Sequence, residues 1–431
     1  MTDQQPLRDR SSQARRPAAI ARHGKQKTSA AWKTVLGLLG GVLVVVLVSG
    51  GAVGGVVAWQ FTHNIQDNSV AIGADTAPPP PNLAEYEGGF NLLVVGSDTR
   101  EGQGGIGGRD PGSTLNDVNI LLHVAQDQKS ATLVSIPRDM VMPMPRCERG
   151  GPASGLPLNN AYSYGGLACV VATVENFTGL TIQFAALTTF RGVISMSNAV
   201  GGVDVCIAGP IDDPRAGLYI PEAGTYNLQG EQALAFLRSR HGVGDGSDLG
   251  RISSQQVYLS SLVRKIKADG TLTDPTKLFS IAQTAISLTG SNNIVLSQNL
   301  ASLDTLVSLA MVLKNIPLEN ITMVQYPGTT GQPGIYAGKV APLKAQGNAL
   351  IAAIKADQPI ALDDQALASH GATELDPNAP AETPQDPAAP DPSSSPTLPG
   401  TGEDAGPDPV VVSGVKGQSA AQYTCSKPFG T

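Results

Sequence analysis

One uncharged apolar run constrains this chain more than any other feature. Thr34–Trp59 contains 26 residues without a charged side chain, and a helix needs roughly 20 apolar residues to cross a bilayer. Residues 1–33 before it are basic, with eight Lys or Arg against two Asp, which predicts a cytoplasmic N-terminus. We therefore predict a basic cytoplasmic arm over 1–33 and a transmembrane anchor over 34–59. A cleaved signal peptide is the alternative, although the arm is long and no A-x-A site follows.

The rest of the chain divides by composition. Residues 60–86 contain "APPPPN", which is typical of a stiff extracytoplasmic linker. Residues 87–367 mix apolar and polar patterns and predict the folded domain, whereas 368–431 are rich in Pro and Asp and predict a disordered tail. The chain carries −7 and the arm +6, so the remainder carries −13. A nucleic-acid-binding protein would carry its basic charge on a folded domain, so this charge distribution argues against that class.

Four cysteines lie on the predicted outer side: Cys147, Cys169, Cys206 and Cys425. An even number in an oxidising compartment predicts two disulfides, with three connectivities open. We prefer Cys147 with Cys169, because these two flank a single segment and Cys206 is then left for Cys425. The chain contains no CxxC motif and no Cys/His cluster, which argues against a zinc site.

Short apolar runs alternate with helical patterns in the predicted domain. Five runs predict strands: 90–96, 118–124, 131–136, 203–207 and 319–327. Three segments predict helices: 168–179, 252–266 and 296–316. These elements predict an α/β fold, a layered mixed β-sheet flanked by helices and preceded by one transmembrane helix.

Charged residues lie at the ends of the first three predicted strands. Asp98 and Arg100 follow the first strand, Asp117 precedes the second, and Arg138 follows the third. Such residues taken singly are typical of turns and surface ion pairs. In open α/β sheets, however, ligands usually bind at the strand ends.

A second group of polar residues lies in "LAFLRSRHGVGDGSDLGRISSQQ", Leu234–Gln256. If the segment around Arg238 and Arg240 is extended, their spacing of two puts both guanidinium groups on one face. Asp248, Arg251 and Gln255 follow at helical spacings of three and four, hence on one face of a helix. Several arginines combined with two or three aspartates suit a pyrophosphate bound with a divalent cation.

A series of motifs recurs in a family-like order: "GSDTR", "LNDVNILLH", "LVSIPRDM", "LNNAYSYGG", "LQGEQALAFLRSRHG" and "DLGRISSQQ". In these the chain resembles the LytR-CpsA-Psr family of bacterial cell-wall glycopolymer transferases, actinobacterial members in particular. The resemblance covers residues 88–265 closely and extends to about 366. It implies an enzyme that transfers a phospho-glycan from a polyprenyl-pyrophosphate carrier to a hydroxyl of peptidoglycan.

The resemblance also implies roles for individual residues. Asp98 and Asp117 would hold Mg²⁺ (or Mn²⁺) beside the pyrophosphate, and Asp98 would accept the proton of the acceptor hydroxyl. The pyrophosphate oxygens would be bound by Arg138, Arg238, Arg240 and Arg251, with Gln255 assisting. Arg100 and Asp248 would orient these groups.

Three positions depart from the usual family pattern. Leu115-Asn116 stands where many members have Arg-Ser, Pro157 where many have Lys, and Ser254 where a second Arg is common. Each change lowers the local positive charge, while the aspartates and arginines described above remain.

The resemblance further implies arabinogalactan or a related wall polysaccharide as the polymer. A lipid-pyrophosphate hydrolase and a non-catalytic regulator that binds lipid-linked glycans are the alternatives. The expected partners are the lipid-linked donor, the peptidoglycan acceptor and the membrane, with the catalytic domain outside the cell. Nucleic acid is not expected, because a 33-residue arm has no room for a helix-turn-helix.

Overall fold

The computed structural model describes residues 68–73, 87–100, 103–106, 112, 114–268, 270, 274–363, 366, 371–374 and 408–430. The predicted arm and membrane anchor lie outside these residues, as do most of the predicted linker and residues 375–407. Within the described ranges, every helix is too short or too polar to cross a membrane.

The described strands, in chain order, are β1 (Phe90–Ser97), β2 (Asn116–Val124), β3 (Ala131–Ser135), β4 (Val141–Met144), β5 (Ala153–Pro157), β6 (Phe184–Thr188), β7 (Val203–Ile207), β8 (Ile211–Asp213), β9 (Leu218–Ile220), β10 (Gly224–Leu228), β11 (Ile294–Leu296), β12 (Ile321–Gln325), β13 (Gly328–Thr329), β14 (Ala341–Pro342), β15 (Ile360–Ala361), β16 (Ala372–Glu374), β17 (Val410–Val411), β18 (Lys416–Ser419) and β19 (Thr424–Ser426). The α-helices are α1 (Ala161–Thr178), α2 (Phe190–Ala199), α3 (Gly230–Arg238), α4 (Asp248–Ala268), α5 (Pro275–Thr289), α6 (Leu303–Asn315) and α7 (Lys344–Lys355).

Two sheets organise these elements. The larger has seven strands in the order β11-β6-β1-β2-β3-β12-β18, and the smaller has four in the order β10-β7-β19-β16. In the larger sheet β1 pairs in parallel with β6, and β3 pairs in parallel with β12. All other neighbouring strands of this sheet are antiparallel. The predicted mixed α/β class is therefore confirmed.

Apolar side chains cover both faces of the larger sheet. On one face Leu93 and Leu121 pack with Val170 of α1 and Leu350 of α7. On the other face Phe90 and Leu122 pack in a cluster that includes α6. Alternate residues of each strand face opposite sides, which is why neighbouring apolar residues of β1 and β2 belong to different clusters.

A third apolar cluster joins the smaller sheet to α3 and α4. Val205 of β7, Phe236 of α3 and Val257 of α4 are each fully buried in it. This cluster fixes the ends of both helices relative to each other, and those ends carry the arginines of the predicted site.

All five predicted strands are present, and α1 ends as predicted at Gly179. This residue adopts φ 64°, and its N–H donates to the carbonyl of Glu175. The predicted helix 296–316 begins too early. Leu296 closes β11, and α6 starts after Ser302, whose Oγ accepts from the N–H of Thr305 at 3.0 Å. The apolar spacing continues across both elements, so the spacing alone did not locate the cap.

The predicted disordered tail, 368–431, is wrong for the residues that the structure describes. β18 pairs with β12 at the edge of the larger sheet, and β19 lies between β7 and β16 in the smaller one. A tail of low average hydrophobicity therefore contains short strands that add to existing sheets. Their backbone hydrogen bonds and the buried Cys425 offset the entropy of ordering them.

The preferred disulfide pairing is confirmed. Cys147 is bonded to Cys169 at a sequence separation of 22, and Cys206 to Cys425 at a separation of 219. The second bond connects neighbouring residues of β7 and β19, so the C-terminal segment is covalently part of the domain.

Candidate functional site

The end of β1 and the start of β2 bring two predicted carboxylates to one edge. The N–H of Asp98 donates to the carbonyl of Leu115 at 3.1 Å, and Asp98 Oδ1 accepts the N–H of Leu115 at 2.8 Å. These two bonds fix the Asp98 side chain beside the first residues of β2, which include Asp117. The negative charge of Asp117 is close enough to raise the pKa of Asp98.

Arg138 connects this edge to the end of β3. Its Nη1 donates to Asp117 Oδ1 at 2.6 Å, and its Nε lies 3.5 Å from Asp248 Oδ1. A single guanidinium group thus contacts a carboxylate from β2 and another from α4.

Asp248 is the centre of the network. It opens α4, where a negative charge interacts favourably with the helix dipole. Its Oδ1 accepts a hydrogen bond from Nη2 of Arg240 at 2.7 Å and forms an ion pair with Nη2 of Arg251, also at 2.7 Å. Arg251 Nη2 also donates to the carbonyl of Asp117 at 3.0 Å. Asp248 and Arg251 therefore share a face of α4, as their spacing predicts.

The segment around Arg238 and Arg240 is only partly extended, so the condition for their predicted shared face is not met. Arg238 is the last residue of α3, a helix that the sequence patterns did not predict, and Ser239 after it is extended. The Arg238 guanidinium lies 4.5 Å from the centre of the Phe190 ring. Burial lowers its pKa, and the nearby charge of Arg100 lowers it further. Arg238 and Arg100 are thus close to each other at this edge.

Gln255 makes a structural contact at the site, and its predicted part in phosphate binding stays a prediction. Its Nε2 donates to the carbonyl of Leu237 at 2.9 Å, so the amide group joins α4 to the end of α3. Its side chain nevertheless borders the recess that the charged residues surround, whose lining includes Asp117, Arg138, Asp248, Arg251 and Gln255.

Burial and like charges perturb the ionisation of the site. Burial raises the pKa of Asp98, Asp117 raises it further, and the Leu115 N–H and two arginines only partly offset this. Burial likewise raises the pKa of Asp139. In both cases a nearby cation would favour the ionised carboxylate.

The charged network contains buried guanidinium nitrogens without hydrogen-bond partners. The Nε atoms of Arg138, Arg240 and Arg251 are buried and make no hydrogen bond. A buried donor without an acceptor is costly. An anion with several oxygens would satisfy such donors through charge-assisted hydrogen bonds, so the site suits a phosphate or pyrophosphate group.

The two carboxylates at the β1–β2 edge also fit a divalent cation. Mg²⁺ is commonly held by one or two carboxylates and completes its shell with water and substrate phosphates. Among the described residues, no group of three or more His, Cys, Asp or Glu side chains has a metal-binding arrangement. A cation at Asp98 and Asp117 would thus take its other ligands from outside the protein.

A comparison with known families identifies the chain. The sequence profile of the LytR_cpsA_psr family matches residues 59–350, which is more than half of the chain. The chain belongs to the LytR-CpsA-Psr family. The predicted resemblance is thereby confirmed.

Curated relatives include proteins of Corynebacterium and Bacillus. The cell wall biosynthesis protein LcpA of Corynebacterium glutamicum is 29% identical over 67% of this chain and 58% of its own length. The probable cell wall biosynthesis protein LcpB of the same organism is 32% identical over 63% of this chain and 62% of its length. The polyisoprenyl-teichoic acid–peptidoglycan teichoic acid transferase TagT of Bacillus subtilis is 25% identical over 57% of this chain and 75% of its own length. The chain thus spans about three-fifths of the two Corynebacterium relatives.

Two departures from the usual LytR-CpsA-Psr pattern have structural reasons. Asn116 donates to Asn119 Oδ1 at 2.7 Å and accepts the N–H of Tyr162 at 3.1 Å, so it connects β2 to α1. Ser254 is fully buried, and its Oγ lies 2.9 Å from Ser426 Oγ. The C-terminal strand therefore occupies the place towards which an arginine at position 254 would extend. Nothing in the structure explains Pro157.

Two acidic residues that the sequence did not assign to the site contact it. Asp139 Oδ2 lies 3.7 Å from Arg138 Nε and 4.0 Å from Arg240 Nη2. Its position directly after Arg138 was the available signal. Asp213 accepts hydrogen bonds from the loop that carries Arg240, and in the sequence nothing distinguishes it from its neighbour Asp212.

Proposed function

We propose that the protein is a membrane-anchored phosphotransferase that moves a wall glycopolymer from a polyprenyl-pyrophosphate carrier to a hydroxyl of peptidoglycan. The family supports the reaction class, and the name of the Bacillus relative describes a polyisoprenyl-linked polymer transferred to peptidoglycan. The observation that carries the proposal is the set of buried, unsatisfied Nε atoms of Arg138, Arg240 and Arg251. These donors match the oxygens of a pyrophosphate.

The reaction needs little covalent participation from the protein. The acceptor hydroxyl oxygen bonds to the phosphorus next to the sugar, and the bond from that phosphorus to the bridging oxygen breaks. Polyprenyl phosphate leaves with the bridging oxygen. Arg138, Arg240 and Arg251 stabilise the charge on the phosphate oxygens, since a planar guanidinium can bind two oxygens at once.

Asp98 is the proposed acceptor of the hydroxyl proton. Its Oδ1 accepts the N–H of Leu115, so the carboxylate is held at the β1–β2 edge where the acceptor hydroxyl would approach. Mg²⁺ or Mn²⁺ held by Asp98 and Asp117 would neutralise phosphate charge when bound. Arg100 and Arg238, at the same edge, would contact the donor's phosphates, and Asp248 would orient the arginines.

The location of the protein is part of the proposal. A basic arm and an uncharged apolar run precede the domain, and both disulfides suit an oxidising compartment outside the cytoplasm. The two Corynebacterium relatives are named as cell wall biosynthesis proteins, and arabinogalactan or a related wall polysaccharide is the polymer we propose.

The test is a reconstituted reaction. The full chain in detergent micelles is mixed with a polyprenyl-pyrophosphate oligosaccharide, peptidoglycan fragments and Mg²⁺, and the products are identified by mass spectrometry. We expect phospho-oligosaccharide on peptidoglycan with the wild type and with the control Asp212→Ala, because Asp212 is exposed. Asp98→Ala and a chelator should abolish the adduct.

Other products would contradict the proposal. Free phospho-oligosaccharide without an adduct, at saturating acceptor, would identify a lipid-pyrophosphate hydrolase. Binding of an intact donor, unaffected by Asp98→Ala, would identify a non-catalytic glycan-binding regulator.

A further inference from the structure

Asp213 is a buried carboxylate outside the network described above. It is the last residue of β8 and is 1% exposed, whereas its neighbour Asp212 is exposed. A buried carboxylate is costly unless hydrogen bonds compensate for its lost hydration. The groups that donate hydrogen bonds to Asp213 therefore indicate which part of the fold this carboxylate stabilises.

One oxygen of Asp213 binds three consecutive residues. Oδ2 accepts the hydroxyl of Ser239 at 2.8 Å and the backbone N–H groups of Arg240 and His241, each at 3.1 Å. These three residues follow α3 directly and form the start of the loop that leads to α4.

The other oxygen belongs to the β8–β9 connection. Oδ1 accepts the backbone N–H groups of Arg215 and Ala216, each at 3.2 Å. The carboxylate thus joins a turn of the smaller sheet to the loop that carries Arg240.

The position of this loop determines where the Arg240 guanidinium lies. Its Nη2 is 2.7 Å from Asp248 Oδ1, and its Nε is buried without a hydrogen-bond partner. Since the Arg240 backbone is held by Asp213 and its side chain by Asp248, two carboxylates fix the two ends of one residue.

We propose that Asp213 is a positioning residue of the transfer reaction, which holds residues 239–241 so that Arg240 reaches the phosphate. The inference rests on the proposed function for the identity of the ligand. Asp213 acts through Arg240 and not by touching the substrate.

The test compares Asp213→Asn with Asp212→Asn in the full chain. An amide of the same size retains one acceptor oxygen and turns an NH₂ group towards backbone donors, so the loop loses part of its support. A displacement of about 1 Å in a catalytic group can lower a rate by about 100-fold. We expect kcat to fall roughly 10- to 100-fold in Asp213→Asn, with a smaller change in the donor KM, and no change in Asp212→Asn.

A double variant distinguishes positioning from general destabilisation. If Asp213 acts through Arg240, Asp213→Asn should lower the rate little further once Arg240→Ala is present. The inference would be overturned if the double variant lost activity by the product of the two single losses, or if Asp213→Asn kept the wild-type rate. Ser239→Ala removes one donor and leaves the carboxylate, so it should give a smaller loss, again absent in the Arg240→Ala background. This variant decides the question if Asp213→Asn does not fold.

A binding measurement separates this inference from the proposed function. Isothermal titration with inorganic pyrophosphate should show weaker binding in Asp213→Asn and in Arg240→Ala, by a smaller factor than the fall in kcat, and no greater loss in the double variant. If the wild type makes no transfer product, the proposed function fails and this titration still decides the role of Asp213. Equal binding by wild type and Asp213→Asn would overturn that role.

Discussion

Replacing Asp248 by Asn should destabilise the folded protein more than any exposed Asp→Asn change. Asp248 Oδ1 lies 2.7 Å from a nitrogen of Arg240, 2.7 Å from one of Arg251 and 3.5 Å from Nε of Arg138. The amide keeps the shape of the side chain and removes its negative charge. Three guanidinium groups then face one another without this carboxylate.

The size of the effect follows from burial. Removing one partner of a buried ion pair costs about 3–5 kcal/mol, and the side chains of Asp248 and Arg251 are 8% and 7% exposed. Arg240 is 31% exposed, so water screens its contribution. We expect a loss near the lower limit, about 3 kcal/mol, which is roughly a 100-fold change in the folding equilibrium.

Urea titration of the full chain in micelles measures this loss. Asp212→Asn is the control and should change the free energy of unfolding by less than about 0.5 kcal/mol, as exposed substitutions usually do. Pyrophosphate should stabilise Asp248→Asn more than the wild type, because its oxygens replace the missing carboxylate. Equal urea midpoints for Asp248→Asn and the wild type, with equal stabilisation by pyrophosphate, would refute the account of this network.

Three further predictions concern groups around the site. Burial opposes ionisation of Asp213, but the hydrogen bonds it accepts outweigh burial and lower its pKa. The stability difference between wild type and Asp213→Asn should therefore be largest above about pH 4, the unfolded pKa, and shrink as pH falls further; urea titrations at pH 6 and pH 3 would show a constant difference if this is wrong. Ser254→Arg introduces a common family residue but must displace Ser426 from a fully buried contact, so thermal melting should show a lower Tm, and an unchanged Tm would contradict the packing. Removing the Cys206–Cys425 bond, which spans 219 residues, should cost more stability than removing the Cys147–Cys169 bond, which spans 22. The reason is that a disulfide closing a longer loop removes more conformational entropy from the unfolded chain. An equal urea midpoint for the two Cys→Ser double variants would argue against this.

Much of the larger sheet was predictable because its signals are local. The first three strands are short apolar runs bounded by polar turns, and Asp98, Asp117 and Arg138 lie at their ends. Antiparallel pairing of consecutive strands then brings these ends together. The spacing of Asp248 and Arg251 on one helical face was equally local information.

The features that the sequence did not predict depend on distant contacts. Arg238 belongs to α3 and lies over Phe190, which a spacing of two residues does not indicate. The order of residues 408–430 depends on sheets formed by residues far earlier in the chain. Asp213 and Asp212 differ only in the face of β8 they occupy, and the distinction becomes visible when the loop of Arg240 packs against one of them.

The fate of one phosphorus atom tests the central claim most directly. A donor labelled with radioactive phosphorus at the phosphate next to the sugar is incubated with the full chain, peptidoglycan and Mg²⁺, and the label is followed into lipid, soluble and peptidoglycan fractions. The proposed reaction predicts that label and sugar reach peptidoglycan together, and that Asp98→Ala prevents both. Sugar on peptidoglycan with the label left in the lipid, or released as soluble phosphate, would contradict phosphoryl transfer at this site.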